Sequence, residues 1–210
     1  MQPTSHAHPI QFDVDHPEDP RNRVTAIFRL ILAVPILILL ATFGATGFEA
    51  GKDGASFAGI ASGVLFIPPL LLIVFRQKYP RWTFDFNLAY LRLHNRAFAY
   101  LLLLRDEYPS SDEEQAVHLD VAYPDVRTDL NRWLPLVKWF LAIPHYIVLI
   151  LLDIGVVLAA IATWFAIAFT GRHPRPLFDF TVGVMRWHNR VLGYAFLLAT
   201  DEYPPFRLAA

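Results

Sequence analysis

Residues 178–204 read FDFTVGVMRWHNRVLGYAFLLATDEYP, and residues 84–109 read FDFNLAYLRLHNRAFAYLLLLRDEYP. The two stretches share a Phe-Asp-Phe start, an Arg, a His-Asn-Arg triplet, a Tyr and an Asp-Glu-Tyr-Pro end. Upstream, Leu32-Ala33-Val34-Pro35 has a counterpart in Leu141-Ala142-Ile143-Pro144. Such self-similarity indicates a duplicated structural unit. The sequence therefore predicts two copies of one module, each about half of the chain.

The composition favours a membrane protein. The 210 residues are 55% hydrophobic and only 18% charged, which is more apolar than an ordinary soluble domain. Three long apolar runs contain no Lys or Arg: Leu30–Phe48, Gly54–Phe75 and Ile154–Gly171. Because the chain has no cysteine, disulfides, iron-sulfur clusters, thiolate zinc sites and cysteine nucleophiles are excluded.

The apolar runs predict helices that cross the membrane in pairs. A helix of roughly 20 residues spans a bilayer core, and the two runs of the first half reach that length. In the second half we expect a helix at Trp139–Leu152, a tight turn at Asp153-Ile154-Gly155 and a return helix, with a re-entrant hairpin as the alternative. The predicted fold is all-α and integral to the membrane, with two parallel repeats, each a transmembrane hairpin followed by an amphipathic interfacial helix.

The distribution of basic residues predicts the orientation. Seventeen of the 18 Lys and Arg residues lie outside the Gly-rich loop 44–63. The positive-inside rule then puts both termini and segment 105–132 in the cytoplasm and predicts a multi-pass membrane protein. The matching flanks predict two copies inserted the same way up. The predicted units are a cytoplasmic arm (1–23), a first repeat (24–110), a linker (111–117) and a second repeat (118–210).

Short alternating segments also allow a few cytoplasmic strands. Gln11–Asp15 and Val117–Val121 alternate apolar and polar residues, and Phe206-Arg207-Leu208 is a third candidate.

The polar residues of the recurring segments fall on one helical stripe. We expect this stripe to bind anionic headgroups or an acidic partner, because basic residues near an anionic leaflet contribute about 1 kcal/mol each. The alternative is that Asp85, Asp179 and the Asp-Glu pairs hold the arginines internally. The predicted lipid or partner site consists of Arg92, Asn95, Arg96, Arg186, Asn189 and Arg190, with His94, His188, Asp85 and Asp179 as secondary candidates.

The remaining polar residues do not predict a catalytic reaction. His6, His8 and His16 lie in a segment for which a floppy arm is favoured over a metal site. His94 and His188 are expected to be structural rather than a metal or proton pair. Asp153 is interpreted as a turn residue, although an intramembrane acid is a functional hypothesis. Asp106-Glu107 and Asp201-Glu202 are interpreted as helix-ending acids that meet Arg residues of their own module, in preference to groups for acid-base chemistry.

The run Phe169-Thr170-Gly171-Arg172-His173-Pro174, Leu177-Phe178-Asp179-Phe180 and the end Thr200-Asp201-Glu202-Tyr203-Pro204-Pro205-Phe206 resembles a bacterial membrane-protein family catalogued as a domain of unknown function. Leu136–Tyr146 is similar to the same family. The second half matches closely, whereas the first half has Arg76-Gln77-Lys78 in place of Thr-Gly-Arg. The resemblance implies module boundaries but no activity.

These observations lead to an expected function without catalysis. No catalytic residue, metal or cofactor is predicted, and neither net charge nor a basic cluster favours nucleic acid. The expected role is a scaffold or accessory protein of the inner membrane. Its expected partners are anionic lipids and a membrane-protein partner or a second copy. The alternatives are a small transport or channel component and a lipid-modifying enzyme that uses His94, His188 and the nearby carboxylates.

Overall fold

The computed structural model describes residues 8–17, 21–44 and 63–209. Its elements follow in the order β1 (Ile10–Val14), α1 (Arg23–Ile27), α2 (Arg29–Gly44), α3 (Gly63–Arg76), α4 (Arg81–Leu101), β2 (Val117–Val121), α5 (Pro135–Leu141), α6 (Ile143–Thr170) and α7 (Arg175–Ala195). The fold is therefore mostly helical, with one pair of strands.

The two strands form an antiparallel ribbon. Ile10 pairs with Val121 and Phe12 pairs with Leu119. Ile10, Phe12 and Val14 point into the core while Gln11 and Asp13 are exposed, as the period of a strand requires. The predicted strands are confirmed within a residue, and the prediction of an all-α fold is wrong. Residues 206–208 are not a strand.

The second half does not form the predicted hairpin. Residues 143–170 are one continuous helix of 28 residues, so both the tight turn at Asp153-Ile154-Gly155 and the re-entrant alternative are wrong. Gly155 has a packing role instead. A Cβ at this position would lie 3.1 Å from Phe180 Cζ, so the glycine lets α7 approach α6 closely.

Within the described ranges, α6 alone is long and apolar enough to cross a membrane. Helices α2 and α3 contain 16 and 14 residues, which is short of the roughly 20 that a bilayer requires. Residues 45–62, which make up most of the Gly-rich loop predicted at 44–63, lie outside the described residues. The predicted multi-pass fold built from two transmembrane hairpins is therefore wrong.

Helices α4 and α7 are central packing elements. Thirteen residues of α7 are buried, including polar Asn189 and Arg190. One side of α7 packs against α6 and another against β1, while α4 packs against α2 and β2. A helix covered on two sides is not lying in a membrane interface, so the predicted interfacial helices are also wrong.

Residues in the left-handed backbone conformation follow α3, α4, α6 and α7, at corresponding places in the two halves. Gly171 has φ 72° after α6, and Gln77 has φ 47° after α3. Leu103 and Leu198, beyond α4 and α7, have φ 64° and 56°. This conformation costs a non-glycine residue of the order of 1–3 kcal/mol, so packing must hold it. Leu103 and Leu198 are both buried, at 3% and 0% exposure.

Candidate functional site

Two asparagines from the recurring segments meet in the centre of the molecule. Asn95 Nδ2 donates to Asn189 Oδ1 over 2.7 Å, and Asn189 Nδ2 donates to Asn95 Oδ1 over 2.8 Å. Each amide also donates to a carbonyl of its own helix, that of Leu91 or Met185. Both side chains are buried. The predicted site residues Asn95 and Asn189 are thus brought together, but they are bonded to each other.

Arg92 and Arg186 fasten the ribbon to the central helices. Arg92 Nε donates to Leu119 O over 3.0 Å, and Arg186 Nε donates to Phe12 O over 2.9 Å. Because Phe12 and Leu119 are paired across the ribbon, the two guanidinium groups bind the same cross-strand residue pair. A carboxylate of the same strand completes each contact: Asp120 lies 3.5 Å from Arg92, and Asp13 lies 3.0 Å from Arg186.

Arg96 and Arg190 bind the segments that follow their helices. Arg96 donates to Ser110 O over 2.6 Å. Arg190 donates to Arg207 O and Ala209 O over 3.2 and 2.8 Å. Arg190 is only 2% exposed, and burial lowers its pKa. All four predicted binding arginines thus have backbone partners within the chain.

Asp85 and Asp179 are not the acids that hold these arginines. Asp85 lies 3.7 Å from Arg81 in an exposed pair on α4. Asp179 is exposed and lines a polar cleft of about 420 Å³ with His16, Arg175 and Arg186. The acids that bind the arginines stand on the strands instead. Sequence reasoning missed them, although Asp13 and Asp120 occupy corresponding positions.

The two predicted histidines have different surroundings. His94 stacks on Phe98 with 4.5 Å between ring centroids, and burial together with nearby His188 lowers its pKa to about 4. His188 Nε2 lies 3.5 Å from Asp153 Oδ2, and His188 Nδ1 lies 3.1 Å from Val184 O. Both nitrogens of His188 therefore face an oxygen acceptor, and Asp153 is a residue of α6 rather than of a turn.

A buried cation meets an Asp and a Tyr in each half. Arg29, 2% exposed, binds Asp106, donates to Arg105 O and lies 4.1 Å from the centre of the Tyr100 ring. In the second half, Lys138 is fully buried. Its Nζ lies 2.6 Å from both Asp201 Oδ1 and Thr200 O, and 5.1 Å from the centre of the Tyr194 ring. Asp106 thus meets an arginine of its own half, as expected from the sequence, whereas Asp201 meets Lys138 in place of the expected arginine.

An open cleft of about 630 Å³ lies between α2, α4 and the loop after Tyr108. Its floor is apolar, with Ile36 and Leu93, and Asp112 and Glu113 stand on its rim. The described side chains form no group of three or more His, Asp or Glu arranged to hold a metal ion. This cleft and the polar cleft beside His16 are the two concave sites to consider.

Comparison with known proteins finds a match to one family model within the second half. Residues 133–207 match a domain of unknown function, DUF4389. The matched region contains α5, α6, α7 and the segment with Asp201, which is just over a third of the chain. No curated protein and no solved structure matches the chain. The family description carries no activity, so the function is argued from the geometry.

Proposed function

We propose that this protein is a non-enzymatic scaffold anchored in the bacterial inner membrane by α6. The proposal rests chiefly on the surface of this helix. Only 22% of the most apolar 18-residue stretch of α6 is buried, whereas a core helix of a soluble protein is mostly buried. Its exposed apolar stripe consists of Ile147, Ile150, Leu151, Ile154, Val157, Leu158, Ile161, Phe165 and Phe169.

The dimensions of α6 support membrane insertion. Twenty-eight residues extend about 42 Å, compared with about 30 Å for a hydrocarbon core. Trp133 and Trp139 are exposed just before α6, and tryptophan side chains favour the membrane interface. An exposed apolar stripe of this length would be unfavourable in water.

The use of the recurring polar residues supports a scaffold rather than an enzyme. The pair Asn95 and Asn189 joins α4 to α7, and the pairs Arg29–Asp106 and Lys138–Asp201 hold the segments after these helices. A catalytic group needs access to a substrate, whereas these groups are bonded to the protein itself. Their repetition in both halves also favours our proposal that the chain is a tandem of two related modules.

Anionic lipid is the proposed ligand at the C-terminal end of α6. Arg23, Arg172 and Arg175 are exposed there, and a Cβ on Gly171 would lie 3.4 Å from Arg23 Nε. These guanidinium groups are better placed for headgroups than Arg190, which is buried. Cations at a helix C-terminus are also favoured by the helix dipole.

Extraction from membranes tests the anchor. We expect the protein to resist alkaline carbonate and to float with vesicles, and the change of Ile154, Leu158 and Ile161 to Asp to abolish both. The control is Gln11→Asp, Glu113→Gln and Asp125→Asn, at exposed positions away from α6. A wild-type protein that stays soluble without detergent and does not float would contradict the proposal.

Vesicle flotation also tests the lipid preference. The wild-type protein should float several-fold better with anionic than with neutral vesicles at low salt. Changing Arg23, Arg172 and Arg175 to Gln should remove this preference and leave flotation with neutral vesicles unaffected. Arg127→Gln, at another exposed arginine, is the control. Equal flotation of the triple variant with anionic vesicles would exclude this end of α6 as the lipid site.

A transport role is the second candidate because of Asp153. This carboxylate lies near the middle of α6 and faces His188 at 3.5 Å. An ionisable residue inside a membrane helix is a functional hypothesis by default. Proton flux into proteoliposomes that disappears in Asp153→Asn, but persists in the exposed control Asp179→Asn, would support transport. Absence of flux in the wild-type protein would exclude it.

A further inference from the structure

The cleft over Ile36 and Leu93 has a filled counterpart in the second half. Phe206 comes three residues after Tyr203, as Ser111 comes three residues after Tyr108. The Phe206 ring stacks on His145, with ring centroids 4.0 Å apart and planes inclined by 17°, and its edge meets Trp187 at 5.6 Å. The aromatic ring therefore covers this part of α6 and α7.

The residues that form the floor of the open cleft correspond in sequence to those beneath Phe206. His145 follows Pro144 as Ile36 follows Pro35, and Trp187 precedes His188 as Leu93 precedes His94. All four floor residues are buried, at 7% exposure or less. In the first half, however, the residue corresponding to Phe206 is Ser111, and a serine side chain cannot fill the same volume. The result is the open cleft of about 630 Å³.

The walls of the two places also correspond. Tyr108 meets Tyr100 edge to face at 5.6 Å and 70°, and Tyr203 meets Tyr194 at 5.7 Å and 79°. Beyond this shared aromatic contact, Ser111 lines the cleft together with Ile36 and Leu93, and its counterpart Phe206 contacts His145 and Trp187. The filled site is thus a template for the occupant of the open one.

We propose that the cleft is a docking site for a short segment of a partner protein in which an aromatic residue is followed directly by a basic residue. Phe206-Arg207 of the second half shows the arrangement. In the first half the residue after Ser111 is Asp112, followed by Glu113, and both carboxylates are exposed on the rim. They attract a Lys or Arg next to the inserted ring and disfavour an anionic headgroup. The proposal rests on the scaffold role, for which it supplies the partner site.

A peptide taken from the protein itself tests the site. The probe is a fluorescein-labelled peptide with the sequence of residues 203–209, YPPFRLA, titrated against the full-length protein in mild detergent and followed by fluorescence anisotropy. We expect saturable binding that weakens at least tenfold when the Phe of the peptide is replaced by Ser. The variant Ser111→Phe should weaken binding to a similar extent, because its own ring would fill the cleft.

The controls separate docking from a general effect. Glu114→Phe adds the same ring at an exposed position that does not line the cleft, and it should bind like the wild-type protein. The charge reversals Asp112→Lys and Glu113→Lys, also on the surface, should weaken binding more at low than at high salt. They provide a second test if Ser111→Phe does not fold.

Several outcomes would overturn the docking proposal. These are absence of peptide binding to the wild-type protein, equal binding to Ser111→Phe and the charge reversals, and displacement of the peptide by vesicles of anionic phospholipid. Carbonate extraction is measured on the same preparations. A protein that stays in the membrane but does not bind the peptide overturns the docking site alone, whereas loss from the membrane contradicts the anchor.

Discussion

Asn95 and Asn189 exchange two side-chain hydrogen bonds of 2.7 and 2.8 Å where α4 meets α7. Replacing Asn95 by Leu leaves the Asn189 amide without its partner in the core. We expect a loss of about 1–3 kcal/mol in the free energy of unfolding, measured by denaturant titration in detergent. The double change Asn95→Leu and Asn189→Leu should cost less than the sum of the single changes. Strict additivity would show that the two amides do not act as a pair.

The buried Lys138–Asp201 pair should be far more important than an exposed pair. Lys138→Met leaves the Asp201 carboxylate without its cation, and breaking a buried pair costs about 3–5 kcal/mol. The matched control is Arg81→Met at the Arg81–Asp85 pair, whose side chains are 71% and 56% exposed. That change should cost no more than about 1 kcal/mol. Similar losses in the two variants would refute the structural role of Lys138.

Two histidines should make the stability depend on pH in acid. Burial lowers the pKa of His94 to about 4, and burial lowers the pKa of His173, near Arg21 and His16, to about 4. In the unfolded chain a histidine has a pKa of about 6.5. Between pH 6.5 and 4 the unfolded state therefore binds more protons than the folded state, so the free energy of unfolding falls as the pH is lowered through this range. Above pH 6.5 the contribution of the two histidines is fully present. The free energy of unfolding, measured across this range, should change less steeply with pH in His94→Gln. It should change less steeply still when His173→Gln is added. An unchanged slope would contradict the prediction.

Gly193 lies where β1 packs closely against α7. A Cβ on Gly193 would overlap Ile10 Cδ1, and it would lie 2.9 Å from Ile10 Cγ1. Gly193→Ala should therefore cost about 1–3 kcal/mol. The double change Gly193→Ala and Ile10→Ala should cost less than the sum of the two single changes, because the smaller side chain makes room for the new methyl group. The comparison is Ala99, which has the corresponding place in the first half and is already buried there. Additive losses in the double variant would place the strain elsewhere.

Arg186 should prove to be a structural residue. Its guanidinium binds Phe12 O, Leu208 O and the Asp13 carboxylate. Arg186→Gln should lower the free energy of unfolding by about 1–3 kcal/mol and leave the flotation of the folded protein with anionic vesicles unchanged. Arg175→Gln, at an exposed arginine of the same helix, should leave the free energy of unfolding unchanged and weaken flotation with anionic vesicles. Loss of lipid binding by folded Arg186→Gln would restore the arginine stripe as a lipid site.

Local patterns predicted the parts of the fold that depend on local chemistry. Alternation located both strands, and the spacing of Asn95 and Asn189 placed them among the important residues of the helices. The position of Asp106 after a helix predicted its arginine partner in the same half, whereas Asp201 has a lysine instead. These features follow from periodicity and charge, which a single sequence displays.

The errors came from contacts between distant segments. Helical periodicity shows that Arg92 and Arg186 share a stripe with Asn95 and Asn189, but not that a ribbon covers the stripe. Gly155 looked like a turn residue because a close approach by Phe180 cannot be read from its neighbours. The cleft beside Ser111 was missed as well, although comparison of Ser111 with Phe206 in the two halves contained the signal.

The β ribbon makes the order of synthesis important. Strand β1 is made first, but its partner β2 begins more than 100 residues later and Arg186, which binds Phe12, later still. Contacts so distant in sequence form slowly because a long loop must close first. Strand β1 must therefore remain without its partner strand until more than 100 further residues have been made, and without Arg186 for longer still. A fusion that occupies residues 10–14 should consequently disturb the packing of α7, at the opposite end of the sequence.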